Sequence, residues 1–180
     1  MSRLPIIEPD TAQGAAADLL AAVQKALGVT PNMTKVMANS PAVLKGYLEF
    51  SGALGTGALP VGIREAIALV VAQENSCDYC LSAHTYIATN LAGLSEAEAG
   101  GARRADSADP KTAAVLKLAA SLVRSHGSVE EGEIKIAREA GLTDAEITEV
   151  IGNVALNVFT NYLNKAADVD IDWPVVSHLG

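Results

Sequence analysis

Apolar residues recur along this chain every three to four positions, and no window alternates with period two for long. The punctuation between the apolar stretches divides them into helices. Asp10 with Gln13 has the spacing of an N-terminal box, predicting a helix to about Leu27 that is closed by Gly28. Thr30-Pro31 and Ser40-Pro41 each set a hydroxyl before a proline suited to the first helical position, which predicts helices near 31–38 and 41–51. Gly52, Gly55 and Gly57 read as a loop, and Pro60 opens a helix whose AIALVVA centre is apolar on all sides and is therefore expected to be buried. Asn75-Ser76 breaks that helix, and Ser76 is expected to cap another that runs from Cys77 to about Leu91, with Gly93 as its stop.

Capping-box spacing returns at Ser95/Glu98, Ser128/Glu131 and Thr143/Glu146. Asp109-Pro110 opens a helix to about Ser125, Gly141 ends the one begun at Ser128, and the last strong helix spans Asp144 to Ala167 before the acidic tail DVDIDWPVVSHLG. No hairpin dipeptide separates alternating windows, so the expected class is all-α. The expected organisation is one helical-bundle domain, with a motif-bearing half at about 31–105, a second half at about 109–168 and a tail at 169–180. A shift of 84 places sets Ile63 on Ile147, Glu65 on Glu149, Ile67 on Ile151 and Val71 on Ala155. The same shift sets Cys77, Cys80 and His84 on Asn161, Asn164 and Asp168, as a duplicated helix pair would whose second copy had lost its chemistry.

Composition narrows the function classes. The 180 residues suffice for one full-sized core, and with 4% aromatics that core must be built from Ala, Val, Leu and Ile. A net charge of −8 argues against a nucleic-acid or anionic-membrane partner. The start, MSRLPIIEPD, lacks the apolar run of a secretory signal, and the longest uninterrupted apolar stretch of the central helix, Ala66–Ala72, is far short of a membrane span. A cytoplasmic protein is the expectation, and there a lone C-x-x-C points to redox work or metal rather than to a structural staple.

That motif is Cys77-Asp-Tyr-Cys80, followed by His84. On one helix, positions 77, 80 and 84 form a single stripe, extended by Leu81, Ile87, Ala88 and Leu91 toward the core. Unpaired N–H groups and the dipole of the first helical turn favour thiolates there, and sulfurs three residues apart can close a disulfide. Glu65 opens the buried helix, where a carboxylate needs a partner. Antiparallel packing of the two helices would bring it to His84, and a carboxylate-oriented imidazole beside a thiol is the logic of an activated nucleophile. Zinc is the rival use of the cysteines, but no further Cys exists and only His84, His126 and His178 could complete the set, so no metal is expected. His126 and His178 read as structural or solvated, Glu74 as a surface residue at a helix end, and Tyr79 as a packing or rim residue. Trp173 reads as docking on a helix or a neighbouring subunit.

With E-x11-C-x-x-C-x3-H on a helix pair, the chain resembles the AhpD-like alkyl hydroperoxidase branch of the carboxymuconolactone decarboxylase superfamily, and within it the peroxidase-related group. The flanks PNMTKVMANSPAVLKGYLEF and LTDAEITEVIGNVALNVFTNYLNKAADVDIDWP share the look of that group. The resemblance implies Cys80 as peroxidatic thiol, Cys77 as resolving thiol, and His84 with Glu65 as proton relay. It implies reduction of organic hydroperoxides or hydrogen peroxide with no bound cofactor, re-reduction by an external dithiol, in some relatives of lipoyl type, and a homotrimer or homohexamer. Tyr79 departs from the family, whose well-studied members have histidine at that place. Absence of paired cysteines sets the decarboxylase branch apart, so lactone decarboxylation is not expected here. Tyr79, Leu81 and Ile87 are the candidate substrate-pocket residues. The alternatives are a general thiol–disulfide oxidoreductase and a non-catalytic redox-sensing oligomer.

Overall fold

The computed structural model describes residues 1–179. Among them it has no strand and nine helices: α1 (Gly14–Leu27), α2 (Asn32–Met37), α3 (Pro41–Gly55), α4 (Val61–Glu74), α5 (Asp78–Asn90), α6 (Glu96–Ala102), α7 (Pro110–Arg124), α8 (Glu131–Glu139) and α9 (Asp144–Ala167). The all-α expectation holds. No helix among the described residues is long and apolar enough to cross a membrane.

Helix α4 is the axis of the bundle. It packs against α5, α6, α7 and α9, and every residue from Ala66 to Ala72 is buried. That is why its apolar residues show no stripe: each face of the helix meets a neighbour. Burying Ile67, Leu69, Val70 and Val71 contributes about 1.5–3 kcal/mol per side chain. A second, smaller core forms where α1, α2 and α3 meet, around Leu20, Val23, Met37, Ala38 and Leu44.

Helix ends follow the sequence where a side chain can reach the exposed amides. Ser95/Glu98 and Thr143/Glu146 close full capping boxes, and the Asp109 carboxylate accepts from the Thr112 N–H at 2.8 Å. Elsewhere the boundaries move. α1 begins at Gly14 with Gln13 as its uncapped N-cap, because 8–12 already form a turn of their own on the Glu8 carbonyl. α2 is entered through Pro31 rather than Thr30, and α3 runs on through Gly52 to Gly55. The pairing expected at Ser128/Glu131 is not made; at the start of α8 the Glu133 carboxylate instead accepts from the Glu130 N–H at 2.8 Å.

Candidate active site

The turn between α4 and α5 places the sulfurs. Ser76 adopts a left-handed backbone conformation (φ 50°), and the Cys77 N–H returns to the Ala72 carbonyl at 2.9 Å. Ser76 is therefore the hinge of the turn and not a cap. Cys77 is itself the N-cap of α5, accepting through its carbonyl from the Leu81 N–H at 2.9 Å, and Cys80 sits three positions in. Both thiols thus lie within the first turn, as the motif predicts, one place earlier relative to the helix.

They are free cysteines in contact: Cys77 Sγ and Cys80 Sγ share a hydrogen bond at 2.8 Å, and both residues are buried. The contact splits their acidities. The hydrogen bond from Cys80 lowers the Cys77 thiol, overcoming burial, with help from the Cys80 backbone amide and the charges of His84 and Lys165. Burial, followed by Cys77, pushes the Cys80 thiol well up. Of the two thiols Cys77 is therefore the more acidic and Cys80 the one that keeps its proton longer.

Glu65 and His84 meet across the α4–α5 hairpin, with Nδ1 and Oε2 2.8 Å apart. Burial works against a charged His84, yet the Glu65 carboxylate, through its charge and its hydrogen bond, together with Cys77 raises it above its ordinary value. This leaves the other ring nitrogen, Nε2, for the exchange of protons. Among the described residues no group of three or more His, Cys, Asp and Glu side chains is arranged to hold a metal ion.

The remaining sequence candidates fall around this centre. Tyr79 is buried, but its hydroxyl is committed: it donates to Asp172 at 2.8 Å and accepts from the Met33 N–H at 3.1 Å. Burial heads the causes that push its pKa up. It acts as a clasp between α2, α5 and the tail. Leu81 is fully buried in the main core and Ile87 is half-buried further along α5. Trp173 docks on α5, its ring 5.5 Å from that of Tyr86. His178 pairs with Asp78, and Glu74 with Arg124.

Two residues that the motif does not announce complete the site. Asn164 of α9 donates from Nδ2 to Cys80 Sγ at 3.1 Å. Asn161, one turn earlier, accepts at Oδ1 from Asn75 Nδ2 at 2.9 Å, and Lys165 reaches the Asn75 carbonyl at 2.5 Å. The signal was there in the 84-place shift, which sets these asparagines on the two cysteines, and in Asn153, Asn157, Asn161 and Asn164 marking one face of an otherwise apolar helix.

Three solved structures share this architecture. The structure of an uncharacterised peroxidase-related protein from Ralstonia eutropha JMP134, described as an alkylhydroperoxidase AhpD core, superposes with a TM-score of 0.85 at 23% identity, covering 95% of this chain and 92% of that one. A peroxidase-related protein from Silicibacter sp. TM1040 gives 0.81 at 26% identity, with 93% and 88% covered. The debrominase Bmp8, as a cysteine-to-alanine variant in complex with 2,3,4-tribromopyrrole, gives 0.79 at 19% identity, with 94% and 91% covered. No curated protein sequence matches the chain. The carboxymuconolactone decarboxylase family model matches twice, over residues 41–108 and 97–170. With both halves matched and an AhpD-like fold around the hairpin, the chain belongs to the carboxymuconolactone decarboxylase family.

Proposed function

We propose that this protein is a thiol-dependent peroxidase that reduces organic hydroperoxides or hydrogen peroxide. The observation that carries the reading is the 2.8 Å contact between two buried free sulfurs in the first turn of a helix, beside a carboxylate-held histidine. In this reading the pair, singly protonated with its charge on Cys77, passes its one proton from Cys80 to Cys77 along their hydrogen bond, leaving a Cys80 thiolate. That thiolate attacks the terminal oxygen of the peroxide; the S–O bond forms as the O–O bond breaks. The departing alkoxide takes a proton from His84, giving the alcohol and a Cys80 sulfenic acid. Neutral His84 then takes the Cys77 proton. The Cys77 thiolate displaces hydroxide from the sulfenic acid, forming the disulfide, and the hydroxide leaves as water with the His84 proton. A dithiol of lipoyl type restores both thiols by exchange.

Glu65 orients the imidazole and keeps it charged for the first transfer. Tyr79, whose hydroxyl is bound to Asp172, contributes structure in place of the acid that histidine would supply. Leu81 and Ile87 give the site apolar surroundings that suit an organic peroxide. An apolar groove of about 290 Å³ between α3 and α9, lined by Val43, Tyr47, Phe50 and Phe159 among others, suits the homo-oligomer that the family resemblance implies.

The test is turnover of cumene hydroperoxide by purified protein with dihydrolipoamide as reductant. Cys80→Ser is expected to abolish consumption, whereas Cys77→Ser is expected to stop after one equivalent. Full turnover by Cys80→Ser would overturn the assignment. A model disulfide and a halogenated pyrrole under the same reductant provide the competing substrates; a faster rate on either would displace the peroxidase reading.

A further inference from the structure

Helix α9 carries a feature that packing does not explain. Asn164 is buried at 3% exposure, and its amide nitrogen faces two sulfurs, Cys80 Sγ at 3.1 Å and Met33 Sδ at 3.3 Å. Its Oδ1 is buried and has no hydrogen-bond partner among the described residues. Asn161 is completely buried, its Oδ1 tied to Asn75, and its Nδ2 is likewise without a partner. Buried polar groups in folded proteins are nearly always paired, and exceptions cluster where chemistry requires them. Of the buried side-chain atoms without a partner among the described residues, these two lie together on the face of α9 that meets the sulfur pair.

Resting on the peroxidase reading, we propose that the Asn164 amide, with Asn161 beside it, is a cradle for the Cys80 sulfur: Nδ2 donates to the thiolate, and the unpaired Oδ1 accepts from the hydroxyl that the sulfenic acid acquires. The chemistry requires both functions. A thiolate on Cys80 loses the bridging proton as its own and, being buried, needs a donor that is already in place. When the terminal peroxide oxygen is transferred, the sulfur gains an O–H in a dry site where that hydrogen needs an acceptor. One amide carries a donor and an acceptor on a single planar group, so it serves the sulfur before and after oxidation without turning. It contacts a reacting atom, which makes it a catalytic residue in this scheme.

The experiment separates this role from the peroxidase activity itself. In a Cys77→Ser background, the rate at which iodoacetamide alkylates Cys80 is followed against pH, with no peroxide present. The groups that titrate around Cys80, namely His84 on α5, Glu65 on α4, Tyr47 on α3 and Lys165 on α9, are kept in every variant. Loss of a hydrogen bond to a charged sulfur is expected to move the alkylation midpoint of Asn164→Ala up by about one pH unit. Asn164→Asp, of equal size, should move it at least as far and keeps the test open should the Ala variant fail to fold. An unchanged midpoint in a folded variant overturns the donor role. The acceptor role is read from the single-turnover rate with cumene hydroperoxide divided by the thiolate fraction: a remaining deficit of about tenfold in Asn164→Ala supports it, and an equal corrected rate overturns it. A parent protein that ignores hydroperoxide but alkylates with an Asn164-dependent midpoint would sink the peroxidase reading and the acceptor role while leaving the sulfur donor in place.

Discussion

On the 84-place shift the α4–α5 hairpin and helix α9 carry matched residues at several positions, and they use them for different ends. Glu65, near the start of α4, turns its carboxylate to an imidazole. Its counterpart at the 84-place shift, Glu149, turns its carboxylate to the backbone, accepting from the Ala58 and Leu59 N–H groups at 2.8 and 2.9 Å, and so pins the loop that leads into α4. Cys77 and Cys80 stand in the first turn of a helix, where a broken chain exposes amides. Asn161 and Asn164 stand in an unbroken helix that continues to Ala167. The difference teaches that one break in a helix, at Asn75–Ser76, is what puts the cysteines in a first turn while the asparagines stay in mid-helix. Helix α9 has not been left idle: Asn164 contacts the very cysteine it is matched with.

The largest effect that would test this contrast is expected at Glu65. Glu65→Gln keeps a polar partner for His84 but removes the charge that raises it, so the imidazole should lose its proton at lower pH. Hydroperoxide turnover at neutral pH should fall about 10²-fold, and the alkaline limb of the pH–rate profile should move to lower pH. An unmoved limb would remove Glu65 from the chemistry and make it as structural as Glu149.

The converse holds for Glu149. Glu149→Ala leaves two backbone N–H groups without their acceptor and should cost about 1–3 kcal/mol of stability in chemical denaturation, with turnover per folded molecule unchanged. Gly57 depends on the same contact, since a Cβ there would stand 2.5 Å from the Glu149 carboxylate. Gly57→Ala should push that carboxylate off its two amides and cost a similar amount. In the double variant the two losses should not add, because both break one contact. Full additivity would show that they act independently.

The smallest effect is in the pH dependence of stability, where the halves should fail at opposite ends. His84 is raised on folding, so its contribution is complete below its ordinary value of 6.5 and is lost as pH rises through the folded one. Glu146, in the capping box of α9 and 2.7 Å from Lys111, is held down to about 2 from an ordinary 4.5. Its contribution is present above pH 4.5 and is lost as pH falls toward about 2. Thermal unfolding across this acid range should be flatter for Glu146→Gln than for the parent.

These contrasts also explain what could be read in advance. The limits of α9 were legible because Thr143 and Glu146 form a local box that needs nothing from the rest of the chain. The start of α1 was not, because the Glu8 carbonyl competes for the same amides with a turn of its own. Cys77, Cys80, His84 and Glu65 stood out because spacing on a helix pair is a local property, and the structure brings all four residues to one hairpin. Asn164 did not, because an asparagine in mid-helix carries no motif and its partner is fixed only by packing. Nor did the fate of the Tyr79 hydroxyl, which depends on Asp172 arriving from the tail.

That tail has a consequence of its own. Residues 172–178 form no helix, yet they bind the first turns of the helix that carries the sulfurs, through Asp172 to Tyr79, Val176 to Ser82 and His178 to Asp78, while Arg103, at the end of α6, takes hold of the Ser177 carbonyl. The thiol turn is thereby clamped from outside by a strap that the bundle could otherwise do without. Altering this segment is therefore a change to the helix that carries the two sulfurs, made some ninety residues away in sequence.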